Sequence, residues 1–335
     1  MNSSLSESLP PDMADEASSD SERASKKEVP IELGTHFLQQ RYLYAFATQS
    51  EVTHYIRTQA IPDESARLNE FLKRWSELQP RVQQLIQNET GIADTIAVSE
   101  LPRGHEAQVE RYTADKLFTR TFSGLPIVIG MVEIDKLVAA QRTVNLEYVH
   151  RLKSSFPKSL GISELLEICV APTRPMDPIQ HLELGPNTHV FSSPNADIRF
   201  LGSFVKDITN EDLEAAVQGG IPAAAVISFV GYGGASVNVI RAGSRVVLNN
   251  GFHRVFALRE AGVTHIPVVI QLSNNPALDF PAQVAGLPKE YLLGMPRPVM
   301  MKDFFEPDFA ITLRVRKRIK VITLSANVGQ HDVPA

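Results

Sequence analysis

Four consecutive residues, Gly251, Phe252, His253 and Arg254, combine types and spacing suited to chemistry in this 335-residue chain. They follow an apolar run, Val246-Val247-Leu248, that closes on Asn249 and Asn250, and they open directly onto a helical pattern. A strand that turns at once into a helix leaves the first helical N–H groups unpaired at the positive end of the helix dipole. Such an end suits an anion, and a glycine there lets a phosphate approach the backbone closely. His253 and Arg254 add one switchable and one permanent cation to the first turn. Two cations oppose the dipole of an isolated helix, which favours an anionic ligand beside them. The same residues also admit an ordinary capped turn with exposed His and Arg, and spacing alone does not choose between the two.

The flanking elements would have to hold that turn. Val255, Leu258 and Ala261 recur at three-residue steps and predict a helix over 252–261, with Gly262 at the left-handed position after its end. Ile266 to Ile270 is β-branched and apolar, and reads as the next strand. Upstream, 223–247 reads as a β-hairpin. Its Gly231-Tyr232-Gly233-Gly234 is expected to be the hairpin loop, because a phosphate loop needs a Gly-Lys-Ser/Thr ending and a following helix. Ile127 to Val132 predicts a strand, Ile134 to Val138 a connection, and Asn145 the N-cap of a helix running to Ser155. Gln141 and Arg142 lie between the last two. Arg142 can close on a phosphate or sit in a surface ion pair. Glu133 is the nearby acid in an apolar setting.

With these residues in view, NGFHRVFALREAGVTHIPVVI resembles the signature segment of the ParB/sulfiredoxin superfamily. Members carry a Gly-x-x-Arg or Gly-x-His-Arg turn, an Ala-rich helix and an Ile-Pro-Val strand, matched here by Gly251, His253 and Arg254. The resemblance spans roughly 125–271, and it implies nucleotide phosphates, of ATP or CTP with Mg²⁺, held by Asn250, Gly251, Phe252, His253 and Arg254, with Gln141 and Arg142 contributing. Phe252 departs from the sulfiredoxins, which have their catalytic cysteine there. The single cysteine, Cys169, is distant in sequence, so sulfinic-acid reduction is not expected. Free-serine kinases of the family place a carboxylate base near the position of Gln141. Here Glu133 and His253 are the candidates for a catalytic role.

The rest of the chain sets the frame. Residues 1–30 are rich in Ser, Asp, Glu and Pro and read as a disordered tail. Residues 31–120 are expected to be a helical N-terminal region: Phe37 to Ala47 has a helix-compatible stripe, and Leu68, Phe71, Leu72, Trp75, Leu78, Val82 and Leu85 recur at three- and four-residue steps. Pro62 and Pro80 read as helix junctions, and Trp75 as core. The stretch 92–121 is mixed in pattern, with His105-Glu106 read as an exposed loop pair and not a metal motif. Leu165 to Val170 reads as a strand, and 171–195 as a long loop in an insertion reaching about 222. Asn210 to Gly220 reads as a short helix. Within 121–272 the expected core is a small mixed β-sheet, α/β (α+β) in class. In the extension 273–335, Thr312 to Leu324 alternates apolar and basic residues and predicts one edge strand guarded by charge, with Asp303, Glu306 and Asp308 placed to pair with its bases.

Composition bounds the function. Net charge is −5, so the molecule is not a general polyanion binder, and no helix-turn-helix pattern follows the core. Nucleic acid is therefore the disfavoured partner. One cysteine fits a reducing compartment. No run is long enough to span a bilayer and no signal peptide is evident, so a cytoplasmic protein without membrane contact is expected. His181 and His189 lack zinc spacing, and no metal site is expected. Three functions stay open: a nucleotide-dependent kinase or NTP hydrolase, a nucleotide-binding switch acting on an arm or homodimer, and a protein-interaction or DNA-associated module that keeps the fold alone.

Overall fold

The computed structural model describes residues 37–95, 98–185, 187–209, 222–280, 283–284 and 287–334. The tail at 1–30 and the helix expected at 210–220 lie outside them. The described residues belong to one compact unit, 35–335. Among them, no helix is long and apolar enough to cross a membrane.

The fold is mixed α/β. Strands in chain order are β1 (Phe37–Tyr42), β2 (Val98–Ser99), β3 (Ile127–Glu133), β4 (Val138–Ala139), β5 (Thr143–Asn145), β6 (Gln180–Glu183), β7 (Thr188–Ser193), β8 (Ile198–Asp207), β9 (Ala224–Tyr232), β10 (Asn238–Ala242), β11 (Arg245–Asn250), β12 (His265–Ser273), β13 (Gln283–Val284), β14 (Leu287–Pro288), β15 (Ile311–Arg316) and β16 (Lys320–Ser325). The helices used below are α1 (Gln49–Gln59), α2 (Pro62–Ala66), α3 (Leu68–Asn88), α4 (Glu106–Thr113), α5 (Lys116–Thr121), α6 (Leu146–Ser155), α7 (Ile162–Cys169) and α8 (Phe252–Glu260).

A six-stranded sheet, ordered β2-β3-β12-β10-β11-β4, is the core. It is mixed: β10 runs parallel to β12 and β11 parallel to β4, while β3 with β12 and β10 with β11 are antiparallel. The apolar run of β12 explains its central place, since Ile266, Val268, Val269 and Ile270 are all fully buried. A strand buried on both faces needs a continuous apolar run, not alternation. Helix α8 closes the link from β11 to β12. Its Val255, Phe256, Ala257 and Leu258 are buried one after another, which an element covered on all sides requires. Its end is a full Schellman closure: Val263 N–H donates to Leu258 O and Gly262 N–H to Arg259 O, each at 3.0 Å, with Gly262 at φ 86°.

Several expectations are corrected. The stripe at Phe37 to Ala47 is a strand and a single 3₁₀ turn, because β1 is claimed by β15 on one side and β5 on the other. Pro80 does not start a helix. It sits inside the 21-residue α3, where an interior proline costs about 3 kcal/mol. That cost is offset by tertiary packing, since α3 buries Phe71 in one apolar cluster and Val82 in another. Pro62, by contrast, is at the first turn of α2, as its spacing suggests. His105 and Glu106 are not a loop pair: His105 is the N-cap residue and Glu106 the first residue of α4, which with α5 buries Tyr112 and Phe118. Leu165 to Val170 is not a strand: it is the end of α7, in which Leu165, Leu166 and Cys169 are the buried residues. Ile162, Leu165, Leu166 and Cys169 have the i, i+3, i+4, i+7 spacing of a helix face.

The hairpin reading of 223–247 holds only for its second half, where β10 and β11 pair. β9 pairs with β8 instead, so Gly231 to Gly234 carries the chain from that ribbon into the core sheet. The ribbon is largely solvated, with Phe204 and Phe229 stacked at 5.6 Å. The stretch 171–195 is not all loop, since it contains β6 and β7. The basic stretch near the C-terminus is two strands, each the edge of a different three-stranded sheet: β15 beside β1 and β16 beside β7. The acids before it do not pair with it. Asp308 binds Arg74 and Arg81, Glu306 binds Arg81, and Asp303 is buried with Arg297, while Arg314 takes Asp63 and Glu64.

Candidate anion site

Gly251 is the N-cap residue of α8, at φ 97° and ψ 17°. This left-handed conformation favours glycine, and space demands it too: an added Cβ would lie 2.8 Å from Val237 Cγ2. With no side chain to cap them, the first N–H groups of α8 get no side-chain acceptor from the N-cap residue. Asn250 faces away from this end and ties the turn to the loop before β10, its amide donating to Gly234 O at 2.8 Å and Ser236 O at 3.0 Å. Phe252 is buried as core.

His253 is not a switchable cation here. Its Nε2 accepts the backbone N–H of Asn145 at 3.1 Å, which assigns the proton of the neutral ring to Nδ1. Burial, with the nearby positive charge of Arg174 as a second cause, brings its pKa down to about 4. Tyr148 packs edge-on against the ring at 5.2 Å. Asn145 meanwhile caps α6 as expected, its Oδ1 accepting from Tyr148 N–H at 3.1 Å. The chain Asn145–His253 thus locks α6 to α8.

Arg254 is the unusual member. The residue is only 4% exposed. Its Nη1 donates to Ile168 O, at the C-terminal end of α7, at 2.8 Å, while Nε and Nη2 have no partner among the described residues. Nε and Nη2 form the side-on edge of a guanidinium, which matches a carboxylate or phosphate bidentately. In Arg67, Arg245 and Arg259 that same edge is filled by a carboxylate, of Glu70, Asp94 and Asp135 respectively. Arg254 offers it buried, without a carboxylate. Burial and then the like charge of Arg174 bring its pKa down to about 10, so it remains a cation at neutral pH.

Arg174 completes the group and is a residue that sequence reasoning missed. It lies between α7 and β6, donates from Nη1 to Tyr148 Oη at 3.1 Å, and has a buried Nε with no partner among the described residues. No spacing signal marks it, since an arginine in a Pro-rich stretch reads as loop. Cys169 is beside Arg254 but buried, and burial pushes its pKa up to about 12, so it stays a thiol.

The remaining candidates lie elsewhere. Gln141 donates to the backbone of Thr143, within its own turn. Arg142 pairs with Glu51 of α1 at 2.8 Å and lies over the ring of Tyr291 at 5.6 Å, so its ion-pair reading is the one realised. Glu133 binds Lys136 at 2.9 Å. It is paired in register with His265 at the start of β12, whereas Asn250 lies opposite Asn238, itself opposite Val269. Four residues of strand, roughly 13 Å, separate the two levels, so Glu133 is at the far end of α8 from the turn. Open surface hollows lie along α4 and on α1. His181 Nε2 and His189 Nδ1 are 3.2 Å apart and bond each other. Among the described residues, no group of three His, Cys, Asp or Glu could hold a metal ion.

The chain is thus a mixed α/β protein with two cationic side chains, buried or partly buried, gathered where three helices meet. No protein-family model, no curated protein and no solved structure matches it.

Proposed function

We propose that the chain binds a nucleotide, ATP or CTP, through its phosphates at the Gly251–Arg254 turn, in the manner that its resemblance to the ParB/sulfiredoxin superfamily implies. The observation that carries this reading is the buried Nε–Nη2 edge of Arg254, which has no partner among the described residues. An uncompensated buried cation costs several kcal/mol, and a phosphate on that edge would remove the cost. Any Mg²⁺ would be held chiefly by phosphate oxygens and water. Binding, not catalysis, is the function put forward, because phosphoryl transfer needs a general base and Glu133 is bonded to Lys136 at the other end of the helix. The single cysteine, itself buried, suits a reducing cytoplasm.

A second reading is favoured by one contact. Arg254 also caps the C-terminal end of α7 through Ile168 O, a structural task that an interaction module without ligand would retain. Thermal unfolding with ATP, CTP and GTP, each with and without Mg²⁺, separates the two. Stabilisation of the wild type by one nucleotide, lost in Arg254→Ala and reduced in the milder Arg174→Gln, supports the binding reading. No shift at millimolar concentration would leave the interaction module.

A further inference from the structure

We infer that this turn selects a doubly charged oxyanion, the terminal phosphate of a phosphomonoester or nucleotide, in preference to a phosphodiester or a carboxylate, and that Arg174 is the residue that sets the choice. The inference rests on the phosphate-binding reading above and adds to it a charge count. Arg254 and Arg174 both approach Tyr148: Arg174 donates to its hydroxyl, and the tyrosine is among the groups acting on Arg254. Each guanidinium keeps at least one buried N–H without a partner among the described residues.

The charged and titratable groups around them do not cancel those two charges. From α6 come Tyr148 and Arg151, and Arg151 is engaged with Asp177 at 3.6 Å. From α7 comes Cys169, a thiol. From the segment leading into β8 comes Asp197, already bonded to Arg199 and to Gly233 N–H. From α8 comes His253, neutral because its Nε2 accepts from Asn145. Among the described residues, then, neither Arg254 nor Arg174 has a carboxylate partner.

Two uncompensated charges ask for two negative charges. A terminal phosphate is a dianion above its second pKa of about 6, whereas a diester or a carboxylate carries one charge. Arg254 supplies a bidentate edge, and Arg174, which is partly exposed, supplies the second charge from the solvent side. Since His253 is neutral throughout the range tested, the pH dependence of binding should follow the ligand and not the protein.

The test uses the full chain and four small anions at matched ionic strength: methyl phosphate, dimethyl phosphate, sulfate and acetate. Each shift is read against an anion-free control at the same pH. Near pH 8, methyl phosphate and sulfate should raise the melting temperature while dimethyl phosphate and acetate do not. Near pH 5, below the phosphate pKa of about 6, methyl phosphate should lose most of its effect and sulfate should keep its own. Sulfate also stabilises proteins by exclusion from their surface, so the quantity read is the difference between wild type and Arg174→Gln. That variant should weaken both dianions at least tenfold and abolish their advantage, and Arg174→Lys should restore part of it. Equal shifts from dimethyl phosphate or acetate, an unchanged preference in Arg174→Gln, or no anion shift at all would each overturn the inference. Dianion shifts without any nucleotide shift would uphold it and sink the nucleotide reading. Nucleotide shifts without dianion preference would do the reverse.

Discussion

Gly251 combines a positive φ with a wall, Val237, where its side chain would be. Gly251→Ala therefore adds backbone strain to a steric contact, each costing about 1–3 kcal/mol. A fall of at least 1 kcal/mol in unfolding free energy is expected by urea titration, and an unchanged midpoint would refute the geometry. His253 gives a pH prediction whose sign follows from its lowered pKa. The unfolded ring titrates near 6.5 and the folded ring near 4, so between those values the unfolded state holds more protons. Stability is complete above pH 6.5 and falls as pH drops towards 4, by on the order of 2–3 kcal/mol. His253→Gln, which can still accept from Asn145 N–H, should flatten that slope in a pH series of melting temperatures.

Among the elements, α8 is the one on which the turn depends. Phe256 stacks on Phe305 at 4.7 Å and meets Phe304 edge-on at 6.0 Å. Phe256→Ala should cost about 3–5 kcal/mol, far more than a typical surface substitution, and chemical denaturation measures it directly. The helix is held at both ends by different means. His253 fixes its start to Asn145, and Arg259 fixes its end to Asp135 through a two-point contact at 2.7 and 3.0 Å. Both contacts are part-buried, and with about a third of each side chain of the Arg259–Asp135 pair exposed, Arg259→Ala should cost no more than about 1 kcal/mol.

Across the whole molecule, the first and the next-to-last described strands share a sheet. β15 pairs along the full length of β1, and Ile311, Leu313 and Val315 enter the apolar cluster made by α1, α2 and α3. The N-terminal helices therefore have no complete core without residues 311–315. Leu313→Asp places an unpaired charge in that cluster, where exposure is nil, and limited proteolysis should then cut within α1 to α3 before the central sheet. Simultaneous loss of both regions would show instead that they unfold as one.

What was legible in the sequence was local. The glycine turn, the helix after it with Gly262 at its end, the Ile266 to Ile270 strand and the Asn145 cap all depend on a few adjacent residues and on backbone chemistry that proximity sets. Where neighbours distant in sequence decide, local reading failed. β1 has a helix-compatible stripe, yet β15, about 270 residues away, makes it a strand; β9 pairs with β8 across a long connection and leaves the hairpin it was expected to join. The site divides the same way. Gly251, His253 and Arg254 stand together in the chain and can be read from it. Only tertiary structure brings Arg174 and Tyr148 to them, draws Glu133 and Arg142 away, and neutralises His253, because burial and the charges that surround a group are properties of the packed molecule and not of any stretch of it.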